Sequence, residues 1–361
     1  MKPTSQFPGP RHAHDSDLAG AAQQALRGLP GWAAPASLPA GRQRGARLSR
    51  RELLRVGVLT AGMLTAGELL AACGADNSQG GAAGGPGQPG PAGSVRALTA
   101  NLPQLQLLNA QSQLPVDHSR FTFGISAEDN RLVEGLTPQV WLALDQTSKA
   151  LGPFQAQWRK LNAYQQTHDR SPRSALNGFY VAAIDLPKPG RWLAVAILEA
   201  AAQRSAAQGA IPVGRQVPAQ VGTKARSGPT PVATSHSVAA KICTRRPPCP
   251  LHDVSFDQAL KSGRPTVLSL ATPLLCTSRM CGPVVDELMV AAQRLGTAKV
   301  NFLHVEIYPQ RDTSKPAPLY AEWGLKSEPW TVVIDPDGFI RARAEGPIVA
   351  DEIQDALKPM L

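Results

Sequence analysis

The chain has 361 residues, 43% of them hydrophobic, enough apolar material for two ordinary domains, which excludes a wholly disordered polymer. Its 32 Gly and 33 Pro follow no repeating period, so they predict linkers rather than a collagen-like rod. The formal charge of +10 does not form a nucleic-acid face: nine Lys/Arg against four acids put half of it in residues 1–72, and seven more cations fall in the acid-free stretch between Glu199 and Asp253.

Residues 1–72 read as a targeting segment with a long stem ahead of its core. Ser49-Arg50-Arg51-Glu52-Leu53-Leu54-Arg55 leads into the apolar run Val56 to Leu70, whose one charge is Glu68. That run is shorter than the roughly 20 residues a membrane-spanning helix needs. The Arg50-Arg51 pair with its following leucines resembles a twin-arginine export signal, and Leu70-Ala71-Ala72-Cys73 resembles a lipobox. The resemblance implies that residues 1–72 are removed and that Cys73 is lipidated. The mature chain is then held by acyl chains on the extracytoplasmic face of the cell membrane, in an oxidising compartment.

Residues 73–94 supply a tether. Eight Gly and three Pro among positions 74–94, with no aliphatic side chain larger than Ala, cannot bury anything.

Residues 95–211 alternate short apolar runs with turn residues: Phe121 to Ile125, Val140 to Leu144, Phe154 to Trp158, Gly178 to Leu186 and Trp192 to Leu198. This spacing predicts an antiparallel β-sandwich. The segment from Gly178 to Trp192 resembles the last strands of the small immunoglobulin-like domains of exported proteins. His118 and His168 stand 50 residues apart without a Met or Cys cluster, so no metal is assigned there. Residues 212–250, with Pro212, Pro218, Pro229 and Pro231, read as a basic proline-rich linker.

Residues 251–361 change to alternating helix and strand. A short helix is predicted over Ser255 to Lys261, a buried strand over Pro265 to Ala271, an amphipathic helix over Pro283 to Leu295 and a strand over Val300 to Ile307. A helix near Pro318 to Trp323, a strand Trp330 to Ile334, a turn at Asp335-Pro336-Asp337-Gly338, a strand Phe339 to Ala344 and a helix from Val349 follow.

In this order Cys276-Thr277-Ser278-Arg279-Met280-Cys281-Gly282-Pro283 joins the buried strand to the amphipathic helix, and Glu328-Pro329 precedes the strand Trp330 to Ile334. Both features resemble the thioredoxin superfamily, the first its redox cysteines and the second its cis-proline loop. The expected class is therefore multidomain: an all-β immunoglobulin-like sandwich followed by an α/β thioredoxin-like fold. The cysteine pair departs from the family, because four residues rather than two intervene and Gly282-Pro283 follows the second cysteine. Peroxiredoxins share the wider spacing, but Ser269 and Pro273 stand where those enzymes carry Pro and Thr.

The resemblance implies a thiol–disulfide oxidoreductase, without a bound cofactor, acting on exported protein thiols or a redox partner. Cys281 at the helix start is the first choice for nucleophile, with Arg279 nearby to favour its thiolate, Cys276 as resolving partner and Pro329 shaping the docking groove; the reverse order of the sulfurs remains open. Cys243 and Cys249, in a proline-rich loop, are expected to form a structural disulfide or a second relay pair. The rival readings are a static binding module and a copper-delivery protein using the cysteines with His304. His304 and Glu306 alternate on a strand, however, and a packed histidine is the simpler reading, so no metal is assigned.

Overall fold

The computed structural model describes residues 90–162, 177–200, 203–276, 278, 280–309 and 311–361. Arg50 and Arg51 of the expected export signal, Cys73 as the expected lipidation site, His168 and Arg279 lie outside these. No helix among the described residues is long and apolar enough to cross a membrane.

A short helix α1 (Val95–Thr99), capped by the Ser94 hydroxyl, opens the described chain. Eight strands follow: β1 (Gln104–Asn109), β2 (Leu114–Pro115), β3 (Asp117–Ser126), β4 (Gln139–Ala143), β5 (Leu151–Lys160), β6 (Gly178–Leu186), β7 (Gly190–Ala200) and β8 (Gln203–Gly214). They hydrogen-bond in the order β1-β3-β6-β5-β4-β7-β8, and β8 returns to β1, while the two-residue β2 sits beside β8. The ring is thus a closed barrel of seven strands. With an odd number of alternating strands one pairing has to be parallel, and it is the closure, with Leu105 opposite Ala207.

The period-two pattern of the strands fills this barrel. Phe121, Phe123 and Ile125 on β3 and Tyr180, Ala182, Ile184 and Leu186 on β6 all join one buried cluster. Phe121 stacks on Phe123 at 4.9 Å between ring centroids, and Phe123 on Tyr180 at 5.5 Å. The Tyr180 hydroxyl donates to the Val133 carbonyl at 3.0 Å, which satisfies the one polar atom this stack buries. Outward-facing Val195 and Ile197 are covered by Val95 of α1, so β7 is buried on both faces.

The expected fold class is corrected here. A sandwich has two sheets with free edges, whereas β1 pairs with both β3 and β8 and leaves no edge. The two strands that close the ring are those missing from the pattern of apolar runs. The chain as a whole is mostly β, and the α/β arrangement is confined to its C-terminal part.

That part begins with α2 (His236–Ile242) and α3 (Phe256–Ala259), followed by β9 (Thr266–Ala271), α4 (Cys281–Leu295), β10 (Asn301–Glu306), α5 (Pro318–Glu322), β11 (Trp330–Ile334), β12 (Ile340–Glu345) and α6 (Ala350–Leu357). The sheet order is β10-β9-β11-β12, with β9 and β10 parallel and β11 and β12 antiparallel to their neighbours. Both faces of β9 are buried, with the hydroxyl residues Thr266 and Ser269 enclosed among Val267, Leu268, Leu270 and Ala271. Val267 and Ala271 pack with Val284, Leu288 and Ile353 of α4 and α6, while Leu268 and Leu270 pack with Phe256 and Trp323 on the other side. The stretch read as a linker lies along this body: the Trp323 indole donates to the Arg226 carbonyl at 2.9 Å, and Thr230 exchanges hydrogen bonds with Ser255 and Phe256.

Barrel and α/β part meet through charged side chains. Arg120 of β3 clasps Glu352 of α6 with two hydrogen bonds of 2.8 and 2.9 Å and adds a third, of 2.9 Å, to the Pro347 carbonyl. Glu287 of α4 accepts from the Asn162 amide nitrogens of the barrel and, at 2.7 Å, from the Ala350 backbone.

Candidate functional site

The strand β9 ends at Ala271, and the chain turns through Cys276 before entering α4 at Cys281. Because the first amides of a helix have no intrahelical acceptor, the N–H of Cys281 is available, and it donates to the Cys276 sulfur at 3.3 Å. The Ser278 hydroxyl lies 3.2 Å from the same sulfur and within 3.4 Å of the Glu328 carbonyl, which ties the cysteine loop to the loop before β11. The Glu328–Pro329 peptide bond is cis. The Glu328 carboxylate and both sulfurs lie within 4.8 Å of one another.

The two sulfurs differ in character. Cys276 has its pKa brought down to about 6, first by the hydrogen bond from the Cys281 side chain and then, against burial, by Ser278 and the backbone N–H groups of Cys281 and Met280. Cys281 is fully buried, and that burial, followed by the neighbouring Cys276 thiolate, pushes its pKa well up. Helix α4 therefore acts on Cys276, five residues upstream of its first turn, rather than on the cysteine inside it. Sequence reasoning, which took Cys281 first, counted the dipole and missed the burial.

A cleft of about 530 Å³ runs past this loop. Ser278, Met280, Tyr308 and Glu328 line one side, and Gln111 and Ser112 of the barrel line the other. Trp330 does not reach it: its ring is buried, with its indole N–H donated to Ser327 at 3.1 Å. His118, on the barrel surface, pairs with Asp185 at 2.5 Å.

The other cysteines form a second group. Cys243, at the end of α2, and Cys249 have unbonded sulfurs 3.9 Å apart where a disulfide was expected. His304 Nδ1 lies 3.2 Å from the Cys249 sulfur and 3.7 Å from that of Cys243, and His252 Nε2 lies 3.3 Å from Cys249. All four residues are buried. His304 thus joins Cys243 and Cys249, not the Cys276 pair assumed in the copper reading. The signal was present as Cys243-x5-Cys249-x2-His252, but the fourth member comes from a distant strand and no spacing reports it.

No family model and no curated protein matches the chain. Among solved structures, a DsbF homologue from Corynebacterium diphtheriae is similar at 16% identity over 30% of this chain and 78% of its own, with a TM-score of 0.25. StoA from Bacillus subtilis is similar at 15% identity over 29% of this chain and 87% of its own, with a TM-score of 0.24. A thiol:disulfide interchange protein of the thioredoxin family from Chlorobium tepidum TLS covers 38% of this chain and 99% of its own at 12% identity and a TM-score of 0.23. Each of these likenesses is partial and leaves most of the chain unmatched. The chemistry of the site rests on its own side chains.

Proposed function

We propose that the protein is a thiol–disulfide oxidoreductase in which Cys276 is the nucleophile and Cys281 the resolving cysteine. The observation that carries this reading is the hydrogen bond from the Cys281 amide to the Cys276 sulfur, at a position where a thiolate is favoured near neutral pH. In the reducing direction the Cys276 thiolate attacks one sulfur of a substrate disulfide, forming a mixed disulfide and expelling the other sulfur as a thiolate. Cys281 then gives up its proton and attacks the Cys276 sulfur. The Cys276–Cys281 bond closes, the second substrate thiolate leaves, and two electrons have passed from protein to substrate. The Glu328 carboxylate, within 4.8 Å of both sulfurs, is the nearby acceptor for the Cys281 proton. Run backwards, the same steps oxidise a substrate dithiol.

The substrates in this reading are thiols of exported proteins or of a partner redox protein. The support is the signal-like run through Arg50 and Arg51 and the lipobox-like approach to Cys73, which together imply a lipid-anchored chain on the extracytoplasmic face. Glu328, joined to Pro329 by a cis peptide bond, and the barrel residues Gln111 and Ser112 border the cleft in which a substrate peptide would lie.

The test is to treat the reduced protein with oxidised glutathione and locate the adduct by mass. Cys281→Ser is expected to accumulate glutathione on Cys276, whereas Cys276→Ser accumulates none. A Cys276–Cys281 bond that resists reduction below about −300 mV, or an adduct absent from Cys276, would overturn the reading. Membrane fractionation of Cys73→Ala, expected to release the protein in soluble form, tests the anchor separately.

A further inference from the structure

The buried group formed by Cys243, Cys249, His252 and His304 plays no part in the thiol exchange just described. Its donor atoms all fall within 4.8 Å of one another, and its measured edges are 3.9 Å between the sulfurs and 3.2, 3.3 and 3.7 Å between sulfur and nitrogen. A tetrahedral zinc ion, with bonds near 2.3 Å to sulfur and near 2.0–2.1 Å to nitrogen, requires edges of about 3.8 Å for S···S and about 3.5 Å for S···N. We infer that these four side chains form a closed zinc site that fastens the loop 243–252 to β10.

Three further observations carry the assignment. His304 Nε2 lies 3.2 Å from the Ala271 carbonyl, and since a carbonyl only accepts, the proton sits on Nε2 and the Nδ1 lone pair faces the sulfurs. This is the orientation that a second hydrogen bond gives to a metal-ligating imidazole. The loop is also braced on its outer side. The Thr244 backbone and hydroxyl both donate to the buried Glu306 carboxylate, at 2.8 and 2.6 Å, and Arg245 pairs with Asp286 of α4 at 2.7 Å. Finally, the charges balance. Each thiol releases its proton to solvent on binding, so two thiolates cancel the divalent ion and two neutral imidazoles complete the shell. A neutral cluster can be buried where an unpaired charge cannot.

Two thiolates and two imidazoles are the donor set of structural zinc, and four protein ligands leave no position for a substrate or water. The role is therefore structural. The loop it holds contacts the approach to the redox cysteine, because the Leu274 amide donates to the Thr244 hydroxyl at 3.1 Å.

The experiment uses the full chain, reduced and stripped with a chelator, then loaded with Zn²⁺ and, in parallel, with Co²⁺ as an optical probe. One equivalent of metal per chain is expected, with the visible bands of tetrahedral cobalt and a thiolate-to-cobalt charge-transfer band. Cys249→Ser and His304→Gln are expected to lose stoichiometric uptake, and Cys276→Ser to keep it. Should His304→Gln fail to fold by circular dichroism, His252→Asn, on the loop, decides instead. Absence of bound metal in the reduced protein, a Cys243–Cys249 disulfide in protein purified without oxidant, or uptake that depends on Cys276 but not on Cys249 would each overturn the inference. None of these outcomes bears on the glutathione adduct, so the two proposals fail separately.

Discussion

The Ser112 amide, in the loop after β1, donates at 2.6 Å to the Glu345 carboxylate oxygen that also accepts the Ser327 hydroxyl at 2.5 Å. Ser327 precedes Glu328–Pro329 and receives the Trp330 indole proton as well. One buried carboxylate thus fixes a barrel loop and the loop beside the Cys276 and Cys281 sulfurs in a single arrangement.

Removing that acceptor strands two donors. Glu345→Ala is expected to destabilise the protein by about 2–3 kcal/mol in urea denaturation, since each buried donor left unsatisfied costs about 1–3 kcal/mol and the two are coupled. Glu345→Gln, which keeps an acceptor oxygen, is expected to cost less. Equal losses for the two variants would mean that the charge, not the acceptor, matters.

Gly346, the next residue, has φ +79°, and a Cβ built on it would sit 2.4 Å from the Ala110 carbonyl oxygen. The same residue's N–H is held by the Pro329 carbonyl at 2.8 Å, so the backbone cannot rotate away cheaply. Gly346→Ala is expected to cost at least about 1–3 kcal/mol and to increase protease cleavage at the barrel–α/β seam. A variant of wild-type melting temperature would contradict this.

The Arg120–Glu352 clasp is shielded, with side-chain exposures of 22% and 17%. A double-mutant cycle with Arg120→Ala and Glu352→Ala should give a coupling of about 1–3 kcal/mol, above the 0–1 kcal/mol usual at open surfaces. Arg120→Lys should recover only part of it, because an ammonium cannot make the two-pronged contact. Purely additive losses would show the pair to be energetically idle.

Alkylation of reduced protein gives the pH test of the nucleophile. Cys276 is an acid whose pKa in the fold is depressed to about 6, so it is protonated and slow below that pH and a reactive thiolate above it. Its rate is expected to reach half-maximum near pH 6, well below the ordinary thiol value of about 8.5. Cys281, whose pKa is raised by burial, should stay unmodified until the protein unfolds. Cys281→Ala removes the largest cause of the depression and should move the Cys276 midpoint upward. A midpoint in the ordinary range, or faster labelling of Cys281, would reverse the roles.

The C-terminal elements from α3 onward were legible because each carries its own punctuation, whereas α2 (His236–Ile242) lay hidden in the stretch read as a linker. The run from Thr266 to Ala271 is mostly aliphatic, and Asp335 to Gly338 marks the hairpin. Strands β3 to β7 were legible from aromatic alternation. The ring closure was not: β8 is Gln, Ala and Gly for much of its length, and it is small because another backbone presses on it, a Cβ on Gly209 coming within 2.9 Å of the Leu107 carbonyl. At the Cys276–Cys281 site, the order of cysteines and proline along the chain foretold their proximity. The burial that separates the two sulfurs depends on packing from many segments. The His252–His304 meeting is held by long-range contacts, among them the His304 amide donating to the Leu251 carbonyl at 2.8 Å, which no local pattern encodes.

Glu287, Glu345 and Glu352 all belong to the α/β part, and all three take hydrogen bonds from the barrel. Cut free of residues 95–214, that part would turn three carboxylates and the apolar patch around Val349 toward water, with their barrel donors gone. The barrel is therefore no detachable passenger. An excised thiol module is expected to be poorly soluble, and any redox potential measured on it would belong to a different molecule.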